Sequence, residues 1–154
     1  MKSVRVGKVA QGILLAAYTS GVLVLTLLVR GRPGVRTNLA PFEDLQRLSN
    51  LANRRGILSN VFVFAVSGIA ANLAMFAVWA YLGWKFLNGT GRSAWRNDID
   101  VLLAGSLFSI GIEVSQLFLP TRAADVNDIF WNVLGTIVGV GLAHATSRVR
   151  LEWE

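Results

Sequence analysis

Apolar positions in this chain gather into four long stretches, Val9 to Val29, Gly56 to Trp84, Val101 to Thr121 and Ile129 to Ser147, with charged residues kept almost wholly between them. A hydrocarbon core of about 30 Å takes about 20 helical residues, a length that each stretch approaches or exceeds. The pattern predicts an all-α, polytopic membrane protein, a single domain over 1–154 with four transmembrane helices at about 9–29, 61–84, 101–121 and 129–147. The second stretch would run about 43 Å as a helix, longer than the core. It must tilt, or break near Ser67 and Gly68, with Asn72 inside the membrane.

The connections carry their own patterns. After the first span come the turn formers Gly31, Pro33 and Gly34, and from Phe42 onward Phe42, Leu45, Leu48 and Ala52 recur at three- and four-residue steps. Arg47, Arg54 and Arg55 fall on other faces, which predicts a short amphipathic helix lying on the bilayer interface. Trp79, Tyr81, Trp84 and Trp95, near the connection from Lys85 to Asp100, read as an interfacial aromatic belt. Only Arg122 to Asp128 separates the third span from the fourth, so these two are expected to be antiparallel neighbours. The first and third connections then share a face, where Asn38, Pro41 and Phe42 can meet Arg122, Asp125 and Asp128.

Composition agrees with the pattern, since 53% apolar and 16% charged residues are unsuited to a soluble domain of 154 residues. The net charge of +6 lies outside the apolar stretches without forming a stripe, which points to lipid headgroups and against nucleic acid. No cysteine is present, which excludes disulfides and thiolate metal sites, and the single His144 adds no metal site. Lys2, Arg5 and Lys8 ahead of the first stretch resemble a signal peptide, but the stretch exceeds the 7–15 apolar residues of such a signal and reads as an uncleaved span. The fifteen Lys and Arg residues divide almost evenly between the two sides. Three positive charges with no acid before the first span tip the expectation toward cytoplasmic termini.

Against this background the polar residues inside the third and fourth spans stand out. An ionised carboxylate at mid-depth costs about 2.5–3.5 kcal/mol on insertion scales, so Glu113 marks a site. Gln116 lies one turn above it on the same face, and Asp128, Asn132, Gly135, Thr136 and Gly139 make one stripe on the fourth helix. Gly135 and Gly139 are expected to let the third and fourth helices approach closely, bringing Asn132 level with Gln116. Arg122 is expected to pair with one of Glu113, Asp125 and Asp128, leaving two carboxylates for a proton, a cation or a cationic ligand group. The plainer roles are interhelical hydrogen bonding for Asn72, Asn132 and Gln116, and helix capping for Asp125 or Asp128. The stretch from Asp125 to Asp128 lacks the glycine and distal glutamate of a calcium loop, and no phosphate-binding loop, nucleophile elbow or His-based triad is present. No metal and no cofactor is expected.

Taken together, these residues resemble the VanZ-like family of small bacterial membrane proteins. The resemblance rests on Asn38 with Pro41 and Phe42, on Asn72 with Phe76, on Glu113-x-x-Gln116, and on Arg122-x-x-Asp125-x-x-Asp128-x-x-x-Asn132-x-x-Gly135, and covers about 8–147. The last motif is the specific one. A proline and glycine that usually follow the second motif are replaced here by Val78 and Ala80, which speaks against a helix break at that place. The resemblance implies the bacterial cytoplasmic membrane, the cell envelope, and an association with low-level resistance to teicoplanin, a lipoglycopeptide antibiotic. It carries no settled reaction.

The expected function is accordingly a non-transporting envelope protein. Its polar interfacial site would bind a lipid headgroup, a lipid-linked precursor or a lipophilic, glycopeptide-type antibiotic, with the lipid bilayer as partner and a homo-oligomer as an open option. Two other classes stay open. One is a membrane enzyme using Glu113 and Asp128 as acid and base on a phosphate- or sugar-bearing lipid. The other is a small proton-coupled carrier, for which four spans with no internal inverted repeat are a poor basis.

Overall fold

A computed structural model describes residues 7–29, 37–88 and 92–148, and these are helical almost throughout. Helix α1 (Lys8–Leu23) runs on into a π-helical turn, Val24–Leu28, and is followed by α2 (Glu43–Arg55), α3 (Asn60–Leu87), α4 (Ala94–Leu117) and α5 (Val126–Arg148). Lys8–Leu28, Asn60–Leu87 and Val126–Ser147 are long and apolar enough to cross a membrane. α4 is not among these three. Its 24 residues would span about 36 Å, but Ser106, Ser109, Glu113, Ser115 and Gln116 dilute its apolar character. The turn expected at Gly31 to Gly34, and Lys2 and Arg5, lie outside the described residues.

Local chemistry sets the helix ends. Ser59 caps α3 by accepting from the Phe62 amide at 3.3 Å. α2 carries Glu43 and Asp44 in its first turn and Arg54 and Arg55 in its last, matching the helix dipole, and ends at Gly56 with φ +79°. α3 is unbroken past Ser67 and Gly68, and the Ser67 hydroxyl bonds back to the Phe64 carbonyl. α4 stops at Leu117, short of the expected 121, because Pro120 disfavours helical backbone just before it. Glu113 therefore lies one turn from the end of its helix rather than two.

The long helices alternate in direction. Lys8, at the start of α1, donates to the Phe86 and Asn88 carbonyls at the end of α3, and Asp98, at the start of α4, meets Trp84 of α3 and His144 of α5. The tightest crossing joins α3 to α5. A Cβ added at Gly135 would come 2.3 Å from the Leu73 carbonyl oxygen, and one at Gly139 would come 2.2 Å from that of Ala77. The glycine pair thus serves α3, not α4 as the sequence reading expected. α4 meets α5 through Gly105, whose missing Cβ would overlap the Thr136 side chain.

Trp84 joins Ala80, Val101, Val140 and Ala143 in one buried cluster, and Phe76, Val22 and Ile112 form another. Trp79 stacks on Phe108 at 5.4 Å and donates to Thr19 of α1. Trp79 and Trp84 are packing residues, and of the four belt candidates only Trp95 is exposed. Large apolar side chains instead cover the outside, and buried polar ones line the inside. The interior shares its apolar clusters with these polar groups, while the apolar exterior is that of a bundle facing lipid rather than water.

Candidate functional site

The α4 to α5 connection is built around Asp125. Its Oδ1 accepts from the Asn127 backbone N–H at 2.9 Å and from the Asn127 side-chain amide at 2.8 Å, so it caps α5. α5 consequently begins at Val126, three residues before the expected start, and Asp128 falls in its first turn. The Asp125 backbone N–H donates to Glu113 Oε2 at 2.8 Å, which ties the last turn of α4 to the first of α5. Glu113 is only 6% exposed.

The connection after the first span joins the same cluster. Asn38 pairs with Asp125 in a short parallel bridge, its N–H donating to the Ala124 carbonyl at 2.9 Å while its carbonyl accepts from Val126 at 3.0 Å. Asn38 Nδ2 also donates to Asp125 Oδ2 at 3.3 Å, and Asn38 Oδ1 accepts from the Ala40 N–H. Asn127 reaches back to the Ala40 carbonyl at 3.1 Å. The two connections are thus joined by main chain and side chains together.

From α3, Asn72 Nδ2 donates to Asp128 Oδ1 at 2.6 Å. From α2, Asp44 Oδ2 accepts from the Trp131 indole at 3.2 Å. Phe42 adopts the left-handed backbone, φ +62°, which is strained for a bulky residue. Its ring packs edge-on against Phe130 at 5.5 Å, and Phe130 packs against Trp131 at 4.9 Å. Pro41 is an exposed turn residue ahead of it.

Other expected site residues do different work. Arg122 Nε donates to the Thr26 carbonyl at 2.5 Å and its Nη2 to the Leu25 carbonyl at 2.6 Å, with Gln116 Nε2 also on Thr26 at 3.0 Å. The open carbonyls at the end of the first helix are thereby satisfied. Among the described residues Arg122 makes no ion pair with an acid, contrary to the expected pairing. Asn132 donates to Ser109 at 3.0 Å, a full two turns deeper in α4 than Gln116. The expected single stripe on α5 therefore divides: Asp128, Gly135 and Gly139 face α3, while Asn132 and Thr136 face α4. Phe76 is fully buried core.

What results is a cluster of Asn38, Asp44, Asn72, Glu113, Asp125 and Asp128 gathered from α2, α3, α4, α5 and two connections. Asp128 lies within electrostatic reach of Asp44, Asp125 and Arg122, and Glu113 within reach of Asp125, Asp128 and Arg122. Among the described residues no group of three or more acidic or His side chains is arranged to hold a metal ion. A groove of about 460 Å³ along α2 is lined by none of Glu113, Asp125 and Asp128. Asp44, Trp131 and Asn127 escaped the sequence reading. The four-residue step from Asp128 to Asn132 drew notice, whereas Trp131, at the three-residue step from Asp128, has the character of any aromatic in an apolar span.

Fold and site define an all-helical membrane protein with a polar, acid-rich cluster at one end of its bundle. The sequence model of the VanZ/LLP1 family matches residues 13–147, and the chain belongs to that family. Comparison with curated proteins and with solved structures finds no match.

Proposed function

We propose that this VanZ/LLP1 protein is a four-span protein of the bacterial cytoplasmic membrane with cytoplasmic termini, and that its acid-rich cluster binds the polar headgroup of a lipid, lipid-linked precursor or lipophilic, glycopeptide-type antibiotic. α4, the third in chain order, is the span added to the three apolar helices. Ser109, Glu113 and Gln116 are turned into the bundle, while Leu103, Leu107, Ile110, Val114 and Leu117 are exposed at helical spacing, as a lipid-facing stripe would be. α2 has no buried residue and lies along the interface at the site end, anchored by Asp44 and Phe42.

The observation that carries the reading is the convergence of Asn38, Asn72, Glu113, Asp125 and Asp128 from separate elements. Two helices need fewer polar contacts than this to be fastened. The test is lipid-targeted mass spectrometry on gently purified wild type and on the Glu113→Gln, Asp128→Asn double variant. A lipid or precursor retained by wild type alone is expected; identical profiles would leave the cluster as helix fastening. Turnover of that lipid, lost in Glu113→Gln while binding persists, would move the protein into the enzyme class. Single-cysteine labelling, on a chain without native cysteine, reads the span count and the side of each connection.

A further inference from the structure

We propose, resting on the headgroup reading above, that the ligand presents a primary ammonium group at the membrane surface, as an aminolipid headgroup does. Four carboxylates, those of Asp44, Glu113, Asp125 and Asp128, take part in the cluster, and the described donors to them are all uncharged. Trp131 supplies an indole, Asp125 a backbone N–H, and Asn38, Asn72 and Asn127 supply amides. The cation within reach, Arg122, spends its bonded nitrogens on the Thr26 and Leu25 carbonyls. Among the described residues the ion pair, Arg92 with Asp100, and the His144 contact with Asp98 lie elsewhere.

A second observation points the same way from inside the bundle. Asn132, 3% exposed, sits one turn beyond Asp128 on α5, and its buried Oδ1 has no hydrogen-bond partner. This unmet group is an acceptor beneath the acids: it lies one turn from Asp128 along α5, and its own amide bonds Ser109, one turn from Glu113 along α4. An ammonium group brings three donors and a positive charge on a flexible stem, which suits acceptors spread over several helices, whereas among the described residues no three acidic side chains are arranged to hold a metal ion. Trp131, bonded to Asp44, and the Phe130 and Phe42 rings packed in series against it bring aromatic surface beside one of these acids. An anionic headgroup would add negative charge to an uncompensated set.

The experiment uses the full chain in nanodiscs holding equal amounts of phosphatidylethanolamine and its N-acetylated form with identical acyl chains. The acetyl group removes the ammonium and little else. Native mass spectrometry should find the free amine retained about tenfold or more over the acetylated lipid, with the ratio near one in Asp128→Asn and reduced in Asp44→Asn, which sits on α2 away from the helix crossings. Excess ethanolamine in solution should strip the retained lipid, assigning recognition to the ammonium rather than to the acyl chains. Equal retention of the two lipids by wild type overturns the proposal without needing any variant. If the acetylated lipid is held by wild type and lost from the Glu113→Gln, Asp128→Asn variant, the ammonium is wrong while the headgroup site stands. If no lipid separates wild type from that variant, both readings fall.

Discussion

The two ends of this bundle treat their charged groups in opposite ways. At the end where α1 and α4 start, carboxylates meet basic side chains: His144 Nε2 lies 2.8 Å from Asp98 Oδ1, which also accepts from the Trp84 indole at 2.7 Å, and Arg92 pairs with Asp100 at 2.6 Å. Lys85 donates to Ser147 and the Ala143 carbonyl beside the ring faces of Tyr81 and Trp84. At the far end, Asp44, Glu113, Asp125 and Asp128 meet amides and an indole, while the guanidinium of Arg122 is turned to carbonyls. An acid matched by a cation holds a structure together, whereas acids left unmatched are kept against a cost and point to a ligand. Asn97, wholly buried with neither side-chain amide atom partnered, is the exception at the matched end and has no account in the packing.

The contrast depends on the spine that both ends share, and the largest effect should come from breaking it. Gly139→Leu drives a side chain into the Ala77 backbone, where α3 cannot give way without moving its own helix. We expect a loss of about 3 kcal/mol or more, at the top of the overpacking range, seen as heat-induced aggregation in detergent well below the wild-type temperature. A variant as stable as wild type would mean that α3 and α5 do not cross at this glycine.

Next in size is the direct comparison of one acid from each end. Asp98→Ala removes the acceptor shared by Trp84 and His144 and should cost about 2 kcal/mol, the range for hydrogen bonds to a charged group. Asp128→Asn keeps the shape at Asn72 and removes an uncompensated charge, so its stability should stay within about 1 kcal/mol of wild type or rise, while lipid retention falls. Thermal unfolding of both variants in one detergent makes the measurement. Equal destabilisation would erase the distinction between the two ends.

Sequence and structure agree wherever a single helix face or a local motif carried the information. The apolar periods placed the long helices and α2 within four residues at each end except the start of α4, seven residues ahead of the expected 101, and the short Arg122 to Asp128 connection marked α4 and α5 as neighbours. Asn38, Phe42, Asp125 and Asp128 were legible as a group because their connections had to lie on one side, whereas Asn72, inside the second span, was not read as part of it. The rest was set by partners no single segment names. Gly135 and Gly139 permit a close approach without saying to whom, and α3 rather than α4 fills it. Arg122 is drawn to carbonyls because the first helix ends in a π turn, Val24–Leu28, whose Leu25 and Thr26 oxygens need donors. Trp79 and Trp84 carry the composition of a belt, but the neighbouring helices supply Thr19 and Asp98 as indole acceptors and bury them.

Both ends nevertheless share one device, a basic side chain laid over the C-terminal carbonyls of a helix, and its two copies should differ in strength. Arg122 is half-buried and reaches Thr26 and Leu25 through separate nitrogens, with Gln116 on the same Thr26 oxygen. Arg122→Gln should lower stability by about 1–2 kcal/mol, because the part-buried, charge-assisted bond to the Thr26 carbonyl is lost. Lys8 reaches the Phe86 and Asn88 carbonyls from an exposed position, where water replaces a lost donor, so Lys8→Gln should cost a few tenths of a kcal/mol at most. The same melting series reads both. A larger loss at Lys8 than at Arg122 would mean that α1 is held chiefly by its start, and would remove the reason for regarding Arg122 as a structural clamp that leaves the acids of its own end free.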